Sequence, residues 1–134
     1  MTVEYADAEP SGLASMLGGL IEQNLERDPS RARLLLPAVA SIAASDVGVS
    51  VTLRLEPRRV IVADGAGDAH VRIAADSAKL LELTAAPLRF GFPDVLTRQG
   101  RAVLRDVLSR RVRIGGMLSH PARLARITML LSVR

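Results

Sequence analysis

Cysteine and tryptophan are absent from this sequence of 134 residues, and its aromatics are one tyrosine and two phenylalanines. Histidine occurs twice, as His70 and His120, and Lys79 is the only lysine. Each shortage removes a class of function. Without cysteine there is neither a disulfide frame nor a thiolate metal site. Two histidines without a third nitrogen or sulfur ligand do not compose a transition-metal centre. The scarcity of aromatics removes the stacking platforms on which single-stranded nucleic acid binds. No apolar run approaches the about 18–20 residues that span a bilayer. The first ten residues, MTVEYADAEP, are acidic, the wrong sign for a secretory or mitochondrial leader. These absences lead us to expect a soluble, cytoplasmic protein with no cofactor.

Catalytic strings are missing as well. There is no GxSxG and no P-loop, and GAGD (65–68) is too short for a dinucleotide fingerprint. Asp64, Asp68 and Asp76 lack the spacing of a calcium loop and read as turn and cap residues. His70 precedes Val71 and Ile73 and so points outward if they point inward. His120, beside Pro121, reads as part of a helix start. No enzyme activity is indicated.

What the chain does contain is aliphatic side chain and arginine. Apolar residues make up 49% of it, with 20 leucines, so the interior must be built from Leu, Ala, Val and Ile. Such walls suit tight packing or an alkyl chain. Charge is unevenly spread: residues 1–30 hold six acids and one base, a net of −5. Residues 31–94 net +1, and residues 95–134, with nine arginines against Asp106, net +8. A basic third of this kind attracts phosphates or anionic headgroups, or is a solvated surface balanced by the acidic start.

The length suits one domain over 1–134, with residues 1–10 a flexible N-terminus. Ser11 opens a helix whose buried face is Leu13, Met16, Leu17, Leu20, Ile21 and Leu25. Gly18 and Gly19 inside it are more tolerable if another backbone passes close by. Asp28–Pro29 starts a second helix, divided near Pro37. From Val47 the period becomes two, through Val49, Val51, Leu53 and Leu55 to Pro57, a half-buried strand. RVIVA (59–63) and AHVRIAA (69–75) follow as strands, completing an antiparallel meander across the turn DGAGD. Asp76 or Ser77 caps a short leucine helix, PLRFGFPD (87–94) is a loop with apolar teeth, and Thr97–Arg110 is a helix with Arg98, Arg101 and Arg105 facing away. A strand at 111–115, a Gly115–Gly116 corner and a helix from about His120, with Ser119 as its N-cap, complete the chain. The order describes an α+β domain with helices packed on one face of an antiparallel-dominated sheet.

Three stretches carry a resemblance: VTLRLEPRRVIVADG (51–65), HVRIAADSAKLLEL (70–83) and GRAVLRDVLSRRVRIGGMLSHPARLARI (100–127). In this succession, over about residues 40–132, the chain resembles the sterol carrier protein type 2 (SCP-2) family. One departure is visible: family members often have Gly-Asp after the last strand, where this chain has Gly115–Gly116–Met117. The resemblance implies a five-stranded sheet (at least four strands) covered by helices, over an apolar tunnel for a fatty acyl chain, acyl-CoA or sterol. Leu81, Val103, Leu104, Val107, Leu118, Leu124, Ile127 and Leu131 are the candidates to line it. Arg101, Arg105, Arg111 and Arg113 are the candidates to meet an anionic group, within a wider set that includes Arg110, Arg123 and Arg126.

Three functional expectations stand at this point. The first is a non-enzymatic lipid carrier that takes a small apolar ligand, a lipid or acyl-CoA. The second is a closed-core homodimeric interaction module of the same fold. The third, a nucleic-acid binder using the basic patch, is disfavoured by the absence of interleaved aromatics and of a recognition helix.

Overall fold

The computed structural model describes residues 2–85, 88–89, 92–93, 98–99, 101–102, 105, 112–115 and 119–132. Its strands are β1 (Thr2–Tyr5), β2 (Ala38–Ala44), β3 (Val49–Glu56), β4 (Arg59–Asp64), β5 (Val71–Ala75), β6 (Leu88–Arg89), β7 (Phe92–Pro93) and β8 (Val112–Gly115). Its α-helices are α1 (Gly12–Arg27), α2 (Ser77–Ala85) and α3 (Pro121–Leu131), with a 3-10 helix at Pro29–Leu34. Residues 98, 99, 101, 102 and 105 are also helical. Six strands make one sheet in the order β1-β4-β3-β2-β5-β8, while β6 and β7 pair with each other.

The sheet is mixed, not the antiparallel-dominated five-stranded sheet expected. β1 runs parallel to β4 and β2 parallel to β5; the other three pairings are antiparallel. Three departures from the sequence reading explain this, the last being the strand formed by residues 2–5. The first is β2, which was expected to be the second half of a helix. AVASIAA is alanine-rich, a composition that favours helix in isolation, but it occupies the middle of the sheet between β3 and β5. Buried almost throughout, it lacks the alternation that marks a half-exposed strand. Its small side chains fit large ones opposite: Ala38 faces Leu55 and Ala40 faces Leu53.

The second departure is the connection at 65–70. No meander forms, because β5 lies beyond β2 instead of beside β4. β4 ends opposite the start of β3, and β5 begins beside the start of β2, so six residues return across the sheet. They cross the face that carries Thr52: its hydroxyl donates to the Gly65 carbonyl at 2.8 Å, and Ser41 of β2 is buried on that side. Gly65 itself sits at φ +96°, a conformation that glycine enters freely. Residues 2–5, inside the stretch expected to be flexible, form the parallel edge strand beyond β4.

On the opposite face, Val51, Leu53, Leu55, Val60, Val62, Val71, Ile73, Ala38, Ala40, Ile42 and Ala44 point into the core. Every buried apolar residue among those described is Ala, Val, Leu or Ile. α1 lies over β1, β3 and β4. Ser11 caps it, its hydroxyl accepting from the Ala14 N–H at 3.1 Å. The buried face of α1 is Ala14, Leu17, Gly18, Ile21 and Asn24, with Leu13, Leu20 and Leu25 beside it; Met16, expected inside, is exposed. What passes close to Gly18 is the Tyr5 ring: a Cβ there would lie 2.3 Å from its hydroxyl oxygen, whereas Gly19 has nothing within 4 Å.

α3 packs against α1 and the 3-10 helix. Helix C-termini leave carbonyls without internal partners, and here neighbouring elements supply them. The buried Asn24 amide donates to the Leu130 carbonyl at 2.9 Å, and Arg31 donates to the carbonyls of Met129 and Ser132. A cation in this position also matches the negative end of the helix dipole.

Gly19→Ala should raise stability by up to about 1 kcal/mol through helix propensity. Gly18→Ala should forfeit that gain by displacing the Tyr5 ring. Urea unfolding gives the stabilities, and near-ultraviolet circular dichroism of the sole tyrosine should change for Gly18→Ala only. Equal behaviour of the two variants would contradict the packing of Tyr5 over Gly18.

Candidate functional site

One end of the sheet gathers histidine and arginine side chains, each partly buried. β2 and β5 both begin there, and the chain enters α3 there. Val39 and His70 are tied by two hydrogen bonds: the His70 N–H donates to the Val39 carbonyl at 2.9 Å, and the Val39 N–H donates to His70 Nδ1 at 3.1 Å. The second bond needs a bare Nδ1, so the ring proton of neutral His70 sits on Nε2. The expectation of an ordinary exposed strand residue is therefore corrected: His70 is partly buried and stands just before the strand.

His120 meets it from the other side, the two rings edge to face with centroids 5.2 Å apart. His120 occupies the N-cap position of α3 but makes no side-chain cap bond, and Ser119, expected in that role, lies in the preceding turn. The His120 ring instead sits 2.9 Å, through Nδ1, from the Arg123 guanidinium. Arginine only donates, so this Nδ1 is also bare and the neutral ring carries its proton on Nε2. Burial first, then the charge of Arg123, then that of His120, hold the His70 pKa below the usual imidazole range.

Arg126 follows Arg123 by three residues on α3, one turn along the same side. The Nε atoms of both are buried without an acceptor among the described residues. Ion pairs join Arg31 to Asp28, Arg59 to Glu4 and Glu56, and Lys79 to Glu82; no pair among the described residues involves an arginine of 95–134. The first turn of α3 holds no acid. No group of His, Cys, Asp and Glu among the described residues could hold a metal ion.

The sequence-based lining set divides. Leu124, Ile127 and Leu131 of α3 are in the core, in one cluster with Leu17, Ile21, Leu34 and the inner face of the sheet. Leu81 is 54% exposed, and Leu80 takes the inward position on α2. Val103, Leu104, Val107, Leu118 and Arg111 lie outside the described residues. Arg101 and Arg105 are exposed on a helical segment, and Arg113 is exposed on β8 opposite Ala74. Gly115 pairs with Arg72 without a left-handed φ, and a Cβ there would meet only ordinary contacts at 3.5 Å. The geometry therefore does not demand a glycine at that half of the expected corner. Asp76 caps α2 as expected, accepting from the Lys79 N–H at 2.8 Å, while Asp64 Oδ2 accepts from the Ser11 N–H at the start of α1. Nothing local in the sequence groups His70 with His120, Arg123 and Arg126, since 50 residues separate the two histidines. Only the crossover and the start of α3 bring them together.

No protein-family model matches this sequence, and no curated protein matches it. Solved structures do match. The UbiJ-SCP2 structure of a ubiquinone synthesis protein superposes with a TM-score of 0.61 at 20% identity, over 89% of this chain and 92% of that one. A crystal structure of sterol carrier protein 2 superposes with a TM-score of 0.53 at 14% identity, over 93% of this chain and 95% of that one. The fold is thus SCP-2-like. Among the described residues no helix is long and apolar enough to cross a membrane.

The lowered His70 pKa has a consequence for stability. The unfolded chain takes up the proton at about pH 6.5, before the folded one does. Stability should therefore fall as the pH drops below about 6.5 through the folded-state value. In His70→Asn, Oδ1 can still accept from Val39 but does not titrate, so that part of the loss should vanish. Melting temperatures of both proteins at pH 7.5 and 5.5 check this; an unchanged difference in the variant would contradict it.

Proposed function

We propose that this chain is a non-enzymatic lipid-binding domain, a carrier that holds a fatty acyl, acyl-CoA or sterol-like ligand between the inner face of its sheet and its helices. The observation that carries the reading is the SCP-2-like fold, matched over 89% and 93% of the chain. A sterol carrier is among the matched proteins by its own description. The aliphatic inner face of the sheet supports it, since a saturated chain finds methyl and methylene groups there. The ligand contributes binding energy by leaving water, at about 0.8 kcal/mol per buried methylene.

A second reading has an observation of its own. Leu124, Ile127 and Leu130 are only 1–2% exposed, so the protein's own side chains enclose this part of the interior. Leu36, Val47 and Leu81 meanwhile present apolar surface to solvent. Together these suit a closed-core module that dimerises.

Binding of saturated fatty acids from eight to twelve carbons, measured by displacement of dansyl-undecanoate, separates the readings. The carrier should bind one ligand per chain, with affinity rising about fourfold per methylene. Light scattering should give a mass near 14.3 kDa. No saturable binding, together with a stable mass of twice that value, would replace the carrier with the dimeric module.

A further inference from the structure

We propose that His70, His120, Arg123 and Arg126 form an anion seat that takes one carboxylate or phosphate group at the start of α3. The inference deepens the lipid-binding reading by naming the ligand's polar end, and its chemistry also stands without a lipid.

Donors outnumber acceptors at this end of the helix among the described residues. His70 Nδ1 is occupied by the Val39 N–H and His120 Nδ1 by Arg123, so each neutral ring is left with an Nε2–H to donate. Neither Nε2–H has a protein acceptor among the described residues. The buried Nε–H groups of Arg123 and Arg126 have none either. Buried donors without acceptors are costly, the more so on a charged group. Elsewhere the same side-chain type is provided for: Arg31 bonds the carbonyls at the other end of α3, and Arg59 pairs with Glu4 and Glu56. At this end donors converge from two segments of the chain with no carboxylate in the first turn of the helix.

An anion answers every term of that imbalance. It accepts charge-assisted bonds from guanidinium and imidazole together. The seat adjoins the aliphatic layer, since Leu124 and Ile127 of the same helix point into the core. A chain lying in that layer would bring its acidic end to these four residues.

The test compares sodium decanoate, decanol and inorganic phosphate on the intact chain, at constant ionic strength. Affinities are read by displacement of dansyl-undecanoate, and the imidazole resonances of His70 and His120 by NMR. Decanoate should bind at least about tenfold tighter than decanol. That preference should fall towards one in Arg123→Gln and in Arg126→Gln, while decanol affinity holds in both as evidence that they fold. Phosphate should shift both histidine resonances saturably. A phosphate response with no binding of either decyl compound supports the seat as a site for a free phosphate-bearing ligand and removes the lipid reading. A decanoate preference without a phosphate response supports it as a carboxylate seat. Equal binding of decanoate and decanol with no phosphate response overturns the seat and leaves the lipid reading standing. A preference undiminished in both variants also overturns it.

Discussion

The anchoring of α3 by its C-terminal turn is the constraint on which the rest of the structure depends. Asn24 is 1% exposed and donates to Leu130, and Arg31 reaches Met129 and Ser132. Sliding the helix would strand these donors and carbonyls away from water, at about 1–3 kcal/mol for each buried group. An 11-residue helix is about 16 Å long. Fixing its last turn on α1 and the 3-10 helix therefore fixes where its first turn lies, and that turn brings His120 and Arg123 to His70.

The two ends of α3 are consequently opposite in character. At its C-terminus the Asn24 amide and the Arg31 guanidinium meet carbonyls of the helix end within the protein. At its N-terminus donors exceed acceptors among the described residues, and nothing acidic on the helix corrects it. Between them, the buried apolar residues among those described are all Ala, Val, Leu or Ile. An aliphatic layer that ends in a cationic cluster is the chemical complement of a chain with an acidic head. The proposed function and the proposed seat are two statements of that complementarity, one about the oily length and one about the polar end.

Much of this was legible in the chain. The alternation through Val51, Leu53 and Leu55, the Pro57 stop, the Ser11 and Asp76 caps and the apolar spacing of Leu124, Ile127 and Leu131 all hold. Local patterns report local structure well. β2 was not legible, because a strand buried on both faces loses the period-two signal and alanine speaks for helix. The path of residues 65–70 was not legible either: a glycine-rich stretch marks a change of direction but not which strand the chain joins next. The candidate site shares that blindness. His70 and His120 each look unremarkable beside their neighbours in sequence. Their meeting depends on a crossover and a helix start that are set by tertiary packing.

The most direct test of the whole account is an isotope-filtered NOE experiment on carbon-13-labelled protein saturated with unlabelled decanoate. The account predicts contacts from the alkyl protons to the methyl groups of Ile73, Leu80 and Ile127, and from the methylene next to the carboxylate to the rings of His70 and His120. Contacts confined to exposed residues such as Leu36 and Met16, or none at all, would contradict it.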